Sequence, residues 1–254
     1  MAQLELVQAT KVINNGANEQ KTLLNRVNFV VNEGDFITVL GGNGAGKSTL
    51  FNTIAGTLPL TSGNLLLNGD DITTLSEEKR AAYLARVFQD PKLGTAPRMT
   101  VAENLLLAQF RGQRRPLKLR NLVKQRAYFQ ELCQTIGNGL ENHLDTPTGD
   151  LSGGQRQALS LLMATIRRPD VLLLDEHTAA LDPKTAKKLM SLTDKLIQEE
   201  KLTCLMITHR MEDALKYGNR LIVLQKGEIV QDFGKQEKAN LTLPDLLGFF
   251  EETY

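Results

Sequence analysis

An α/β fold is predicted from three features of the sequence. Strand-like stretches separated by turn signals fill the first forty residues, at Leu4 to Ala9, Leu23 to Val31 and Phe36 to Leu40. From about Thr100 to Ile166, apolar residues instead recur at helical spacing. Farther on, an apolar run, a helix pattern and a second apolar run follow in order, which predicts a right-handed βαβ crossover.

The C-terminal part of the chain completes this plan. VLLLD, ending at Asp175, has the continuous apolar character of a buried parallel strand. We expect a helix over about 183–199, a strand over 203–207, a hairpin around 226–227 and a closing helix over about 243–251. The chain is therefore predicted to be a single domain, 1–254, with a core of about 1–88 and 168–254, an N-terminal antiparallel β subdomain, and an inserted helical subdomain of about 89–167.

Composition narrows the class of protein. The chain has 254 residues, 41% of them hydrophobic and 23% charged, and a net charge of +1. This near-neutral charge argues against a dedicated nucleic-acid binder. Cys133 and Cys204 are far apart in sequence and are interpreted as structural thiols. The sequence has no secretory signal pattern and no apolar run of about 18 residues, so neither a signal peptide nor a membrane span is expected in this chain.

GGNGAGKST, from Gly41 to Thr49, fits the phosphate-binding pattern G-x-x-x-x-G-K-[ST] between a predicted strand and a predicted helix. Backbone amides in such a loop surround phosphate oxygens, and the helix N-terminus adds a favourable dipole. Lys47 supplies charge to the β- and γ-phosphates, and Ser48 can ligate Mg²⁺. The predicted core is thus that of a P-loop NTPase. Its nucleotide-binding residues are Gly41, Gly42, Asn43, Gly44, Ala45, Gly46, Lys47, Ser48 and Thr49.

The acidic pair Asp175-Glu176 ends the apolar VLLLD run. Because ligands of open α/β sheets bind at the carboxyl ends of the strands, both carboxylates are expected beside the phosphates. We predict that Asp175 holds Mg²⁺ through water and that Glu176 polarises the attacking water as general base.

These motifs, together with others in the same order, resemble the ATP-binding subunits of ABC transporters of the importer type. The matching segments are Gln89 (Q-loop), LSGGQ at Leu151 to Gln155 (signature), Asp175-Glu176, AALD at Ala179 to Asp182 (D-loop) and His209 (switch histidine). The resemblance covers essentially the whole chain. It implies that the nucleotide is ATP, with Mg²⁺ bound by Ser48, Gln89 and Asp175.

The resemblance also explains LSGGQ. Two such domains meet head to tail, and each ATP lies between the P-loop of one subunit and the signature of the other. Ser152 is expected to cap the helix, and Gly153 and Gly154 expose backbone amides that favour the γ-phosphate. Gln155 and Asp182 join the implied ATP-binding set.

Further expectations concern two histidines and the stretch that would contact the adenine base. His209 is expected to contact the γ-phosphate and to orient Glu176, so that Glu176, His209 and Lys47 form the catalytic set. His177 stands where the family usually has proline and is interpreted as a tolerated substitution in a turn. The family's adenine-stacking aromatic is missing from KVINNG, so Val12 or Ile13 is expected to pack on the base, with looser base selectivity.

The stretch Arg111 to Arg120 contains five basic residues and no acid, which leaves two interpretations open. It is either a solvated loop and helix face, or a segment close to lipid headgroups or an acidic permease loop.

The resemblance implies a separate ATPase subunit, peripheral on the cytoplasmic face of the membrane, that energises uptake of a small solute. Its expected partners are a second copy of itself, integral-membrane permease subunits that dock around residues 89–104, and a solute-binding protein, but no nucleic acid. Two alternatives stay open: a soluble ABC ATPase of the iron–sulfur-cluster assembly type, and an exporter ATPase. A nucleic-acid-acting ABC ATPase is disfavoured because tandem cassettes, zinc modules and long coiled-coil insertions are not visible.

Overall fold

The computed structural model describes residues 2–14, 20–113 and 122–251, which form two compact units. One unit comprises residues 1–80 with 201–254, and the other comprises residues 81–200. The strands are β1 (Ala2–Asn14), β2 (Gln20–Asn32), β3 (Phe36–Gly41), β4 (Ser62–Leu67), β5 (Asp70–Asp71), β6 (Leu84–Val87), β7 (Val171–Asp175), β8 (Cys204–Ile207), β9 (Arg220–Gln225) and β10 (Glu228–Phe233). The helices are α1 (Lys47–Ala55), α2 (Glu77–Arg80), α3 (Val101–Gln109), α4 (Leu122–Gln134), α5 (Gly153–Thr165), α6 (Pro183–Glu199), α7 (Met211–Lys216), α8 (Lys235–Asn240) and α9 (Leu243–Glu251).

The first unit contains an antiparallel sheet in the order β2-β1-β4-β5. Strand β1 pairs with β2 on one side and with β4 on the other, so that Leu6 faces both Phe29 and Leu65. These three side chains are almost fully buried, as expected where apolar residues occupy one face of a sheet. The predicted antiparallel β subdomain is therefore confirmed.

A second group of strands in the first unit has the order β10-β9-β3-β8. Strand β3 runs parallel to both β8 and β9 and is buried over Phe36 to Leu40, as a strand covered on both faces should be. The predicted hairpin joins β9 to β10 in antiparallel pairing. At its turn, Lys226 and Gly227 both have positive φ, 48° and 82°, which is the backbone of a type I′ turn.

The second unit begins with strand β6, which pairs in parallel with β7. Helices α3, α4 and α5 then bury a common apolar cluster that includes Leu105, Phe129, Cys133, Leu140 and Leu159. The expected helical middle segment is thus confirmed, and helix α6 has the predicted bounds. The cluster explains why these helices form, since tertiary packing supplies most helix stability.

The division into compact units differs from the predicted division of core and insertion. The second unit takes in β6, β7 and α6 as well as the helical segment. The predicted boundaries near 88 and 168 therefore stay a prediction. Among the residues that the structure describes, no helix combines the length and the apolar character needed to cross a membrane.

Candidate nucleotide-binding site

The phosphate loop lies between β3 and α1, where the motif requires it. Gly44 and Gly46 have φ of +76° and +109°, a region that favours glycine. A Cβ on Gly46 would also lie 2.9 Å from the carbonyl oxygen of Leu23. The buried Lys47 donates from Nζ to the carbonyls of Gly41 (2.6 Å) and Gly42 (3.0 Å). Its ammonium group is thereby held against the loop.

Helix α1 has different surroundings at its two ends. Its N-cap is Gly46, which provides no side-chain acceptor for the first-turn amides. Those amides and the helix dipole favour an anion at this end. At the other end, the buried Arg80 donates from one guanidinium nitrogen to the carbonyls of Thr53 (2.6 Å) and Ile54 (2.8 Å). Sequence reasoning missed Arg80, which satisfies carbonyl groups at the C-terminal end of α1.

His209 reaches the same edge of the parallel strands as the phosphate loop. Strands β3 and β8 are paired so that Val39 lies opposite Ile207, and Gly41 and His209 each follow two residues later. The His209 side chain is exposed there. This placement agrees with a ligand-facing histidine at the carboxyl ends of the strands.

Gln89 and Glu176 have an equivalent relation in the second unit. Val87 lies opposite Leu174 in the parallel pair of β6 and β7, and each of the two candidate residues follows two positions later. Glu176 has φ of +44°, an unusual conformation for a residue other than glycine. Such conformations concentrate at functional sites because the surrounding structure must hold them.

Asp175, the predicted magnesium ligand, forms an ion pair with Arg86. The guanidinium nitrogen lies 2.5 Å from Oδ2, and the two side chains are only 14% and 15% exposed. The guanidinium carbon of Arg86 also lies 4.8 Å from the centre of the Phe88 ring. Sequence reasoning missed Arg86, although a basic residue within an otherwise apolar strand pattern was a visible signal.

The signature segment forms the N-terminal end of α5. Ser152 is the N-cap and accepts from the backbone of Gln155 (3.3 Å), while the Gln155 side chain accepts from the Ser152 amide (3.2 Å). This is a capping box, so the expected capping role of Ser152 is confirmed. Gly153 and Gly154 follow directly and leave the helix end uncovered by side chains of their own.

A cavity of about 690 Å³ lies at this helix end. Besides the signature residues, it is lined by Asn138 and by Ala180 to Asp182 of the D-loop. The Asp182 carboxylate accepts from the backbone amides of Lys184 and Thr185 (3.1 Å each), which caps α6. A hydrogen bond from the Thr185 side chain, together with these amides, lowers the pKa of Asp182. The signature and the D-loop therefore share one cavity, which the sequence motifs did not predict.

Ile13 is the residue expected to pack on the adenine base. It lies near the end of β1, partly buried, and no observation tests its contact with a base.

In the basic stretch from Arg111 to Arg120, residues 114–120 lie outside the described residues. Arg111 donates to the carbonyls of Ala164 (2.7 Å) and Arg167 (2.5 Å), and burial lowers its pKa to about 10. Arg111 is therefore not a freely solvated side chain, because these contacts tie the end of α3 to the end of α5. The alternative interpretation, a segment close to lipid headgroups or to an acidic permease loop, stays a prediction.

The strand, the glycine-rich loop and the uncapped helix N-terminus together define a P-loop nucleotide-binding domain. The family model described as "ABC transporter" matches residues 24–179. The chain belongs to the ABC transporter family, as an ATP-binding cassette. It has the P-loop NTPase fold of that family, with its antiparallel β subdomain and its helical subdomain.

Individual relatives agree with this assignment. The chain is 45% identical over 249 residues to a "Tyrosine transport ATP-binding protein" of Clostridioides difficile, covering 98% of each chain. It is 35% identical to a "Spermidine/putrescine import ATP-binding protein" of Haemophilus influenzae, over 89% of this chain but 59% of that longer relative. A dimeric post-hydrolysis ATP-binding cassette bound to ADP and Pi superposes with a TM-score of 0.77 at 29% identity, covering 91% of this chain and 98% of that one.

Proposed function

We propose that this chain is the ATP-hydrolysing subunit of an ABC importer and that it acts as a head-to-tail homodimer on a separate permease. One observation carries the proposal: the Ser152-capped end of α5, with its two glycines, opens on a cavity that it shares with the D-loop. An exposed helix N-terminus favours a phosphate. In the head-to-tail arrangement, that phosphate comes from the ATP of the other subunit.

Nucleotide binding rests on the phosphate loop. The loop amides and the N-terminus of α1 surround the β- and γ-phosphates, and Lys47 turns from its carbonyl contacts toward them. Residues 41–49 supply these contacts, and Ile13 packs on the adenine. Gln89, Ser152 to Gln155, Asp182 and His209 complete the proposed ATP-binding set.

The proposed metal ligands are Ser48, Gln89 and Asp175. Their hydroxyl, amide and carboxylate groups all offer oxygen donors, which Mg²⁺ prefers, so the donor set fits this cation. When bound, Mg²⁺ neutralises the charge that develops on the phosphates. The chain's own contribution is to hold these oxygens at strand and helix ends.

Hydrolysis is assigned to Glu176 and His209. Glu176 would accept the proton of the attacking water. Its unusual backbone conformation (φ +44°) is of the kind that concentrates at functional sites. His209 would contact the γ-phosphate and orient Glu176. Loss of the γ-phosphate removes the group that joins the two subunits, so turnover opens the dimer.

The importer assignment is supported by the names of the relatives, which are transport and import ATP-binding proteins. We propose a place on the cytoplasmic face of the membrane, with permease docking around residues 89–104 and a solute-binding protein as a further partner. A small solute is proposed, and the tyrosine-transport relative supports an amino acid. The subdomain boundaries near 88 and 168 are proposed for the same assembly.

The decisive experiment uses Glu176→Gln, which keeps the side-chain size but removes the base. At saturating ATP and Mg²⁺, this variant should lose turnover and form a stable dimer in size-exclusion chromatography, whereas ADP should leave it monomeric. Glu200→Gln, at the exposed C-terminal end of α6, is the matched control and should hydrolyse ATP normally. A Glu176→Gln protein that stays monomeric with ATP would contradict the proposal.

A further inference from the structure

Arg86 is a charged residue within an otherwise apolar strand. Its neighbours Leu84, Ala85 and Val87 are buried, and its own backbone lies opposite Leu173 of the paired strand β7. Asp175 is two residues farther along β7, on the same face, within diagonal reach of a long side chain. The register therefore directs the guanidinium toward the last carboxylate of the strand, where it lies 2.5 Å from Oδ2.

The Arg86 side chain is held from more than one direction. Its guanidinium carbon lies 4.8 Å from the centre of the Phe88 ring. The Phe88 carbonyl in turn accepts from Nε2 of Gln157 (3.0 Å), a buried residue of the signature helix α5. Exposed ion pairs are weak partly because long side chains lose entropy when they pair. Here burial and the aromatic contact already limit the motion of the arginine, so the pair with Asp175 is better defined.

The ion pair affects metal binding because Arg86 and the metal would share the Asp175 carboxylate. With Oδ2 contacted by Arg86, contact to a metal-bound water falls to Oδ1. A divalent cation beside Asp175 would then lie within several ångströms of a second positive charge. Since both partners are only about 15% exposed, water screens this repulsion incompletely.

We propose that Arg86 is a positioning residue for magnesium: it holds Asp175 by one oxygen, and its charge weakens the binding of Mg²⁺ there. The inference rests on the proposed role of Asp175 as a magnesium ligand. Its consequence is that Asp175 alone does not retain the metal, so that firm binding requires the nucleotide phosphates as well. Magnesium would therefore enter and leave with the nucleotide.

The test measures metal affinity rather than activity. The full-length protein is saturated with ADP, and Mn²⁺, as a probe for Mg²⁺, is titrated while the signal of free Mn²⁺ is followed by electron paramagnetic resonance. Arg86→Met removes the charge and keeps an unbranched side chain, and it should bind Mn²⁺ about tenfold more tightly than the unmodified protein, equivalent to about 1.4 kcal/mol. Arg86→Lys keeps the charge and should stay within about twofold of the unmodified protein.

The chain offers a matched control in the same unit. Arg126 makes a bidentate pair with Asp145 (2.6 Å for each contact), but both side chains are exposed. Arg126→Met should leave the Mn²⁺ affinity unchanged. If Arg86→Met proves unable to fold, Arg86→Gln retains a donor for Asp175 without the charge and should show the same tightening.

Unchanged or weaker Mn²⁺ binding in the charge-removing variant would overturn the proposal. A failure of the underlying function gives a different result. Binding of a fluorescent ADP in the presence of EDTA should be equal in all variants, because the proposed function assigns the phosphate contacts to the loop amides and Lys47. If the unmodified protein itself binds neither ADP nor Mn²⁺, the nucleotide function is wrong, whereas tight ADP binding without an Arg86 effect rejects only the role of Arg86.

Discussion

Nε2 of His177 lies 3.1 Å from Oγ1 of Thr193, and both side chains are at most 2% exposed. The Thr193 hydroxyl donates to the Leu189 carbonyl (2.8 Å), so it accepts from the imidazole, and Nε2 carries the proton. The turn after Glu176 is thereby attached to the middle of α6. His177 thus has a specific partner in addition to the place in the turn that the sequence indicated.

Burial makes the stability of the protein depend on the protonation of His177. Desolvation lowers the pKa of His177 from 6.5 to about 4. Between these values the unfolded chain binds more protons than the folded one, so the free energy of unfolding should fall as the pH falls from about 6.5 to about 4. The contribution of this residue to that fall is up to about 3 kcal/mol.

Urea unfolding at several values between pH 4 and pH 7.5 measures this dependence. His177→Gln, which keeps an amide donor and cannot titrate, should flatten the curve over that window. His143→Gln is the control, since His143 is only partly buried beside Thr146. Parallel curves for His177→Gln and the unmodified protein would refute the prediction.

The two signature glycines should respond differently to alanine. A Cβ on Gly154 would lie 2.6 Å from Cγ2 of Thr185, whereas a Cβ on Gly153 would meet Leu181 at an ordinary 3.7 Å. We expect Gly154→Ala to lower the free energy of unfolding by about 1–3 kcal/mol, in the range of overpacking, and Gly153→Ala to change it far less.

A second substitution tests this cause directly. Thr185→Ser removes Cγ2 but keeps the backbone amide that Asp182 accepts from. In Gly154→Ala, it should therefore recover most of the lost stability in urea unfolding. If Gly154→Ala is destabilised equally with and without Thr185→Ser, the clash is not the reason.

Ser152→Arg should separate the two halves of the proposed site. A large cation at the N-cap fills the cavity mouth and leaves the residues of the phosphate loop unchanged, so fluorescent ATP should bind the monomer normally. In the Glu176→Gln background, the ATP-dependent dimer should disappear from size-exclusion chromatography.

Ser152→Ala is the control for this prediction. It removes the cap at a cost of about 1 kcal/mol but leaves the cavity open, so some dimer should remain. Lost ATP binding by the Ser152→Arg monomer would show that the signature does not act in trans.

Most of the fold could be predicted because its elements carry local signals. The continuous apolar runs of β3 and β7, the helical spacing of α3 to α5 and the turn at Lys226-Gly227 each indicate structure without reference to distant residues. The side-chain pairs between elements could not be predicted in this way. Arg86 with Asp175 depends on strand register, and His177 with Thr193 depends on how a turn packs on a helix. Such pairs leave no periodic pattern in the sequence.

Lys47 gives the most direct test of nucleotide binding. Its ammonium group contacts the carbonyls of Gly41 and Gly42, and it is the charge that the motif provides for the β- and γ-phosphates. Lys47→Ala should weaken binding of a fluorescent ATP by at least about tenfold, which is the loss of one charge-assisted contact. Lys92→Ala, in the turn after Gln89, removes a charge elsewhere and should bind ATP normally. Circular dichroism of Lys47→Ala should show the same fold, so that its weaker binding reports the missing charge. Full ATP affinity in this variant would mean that the phosphates bind elsewhere.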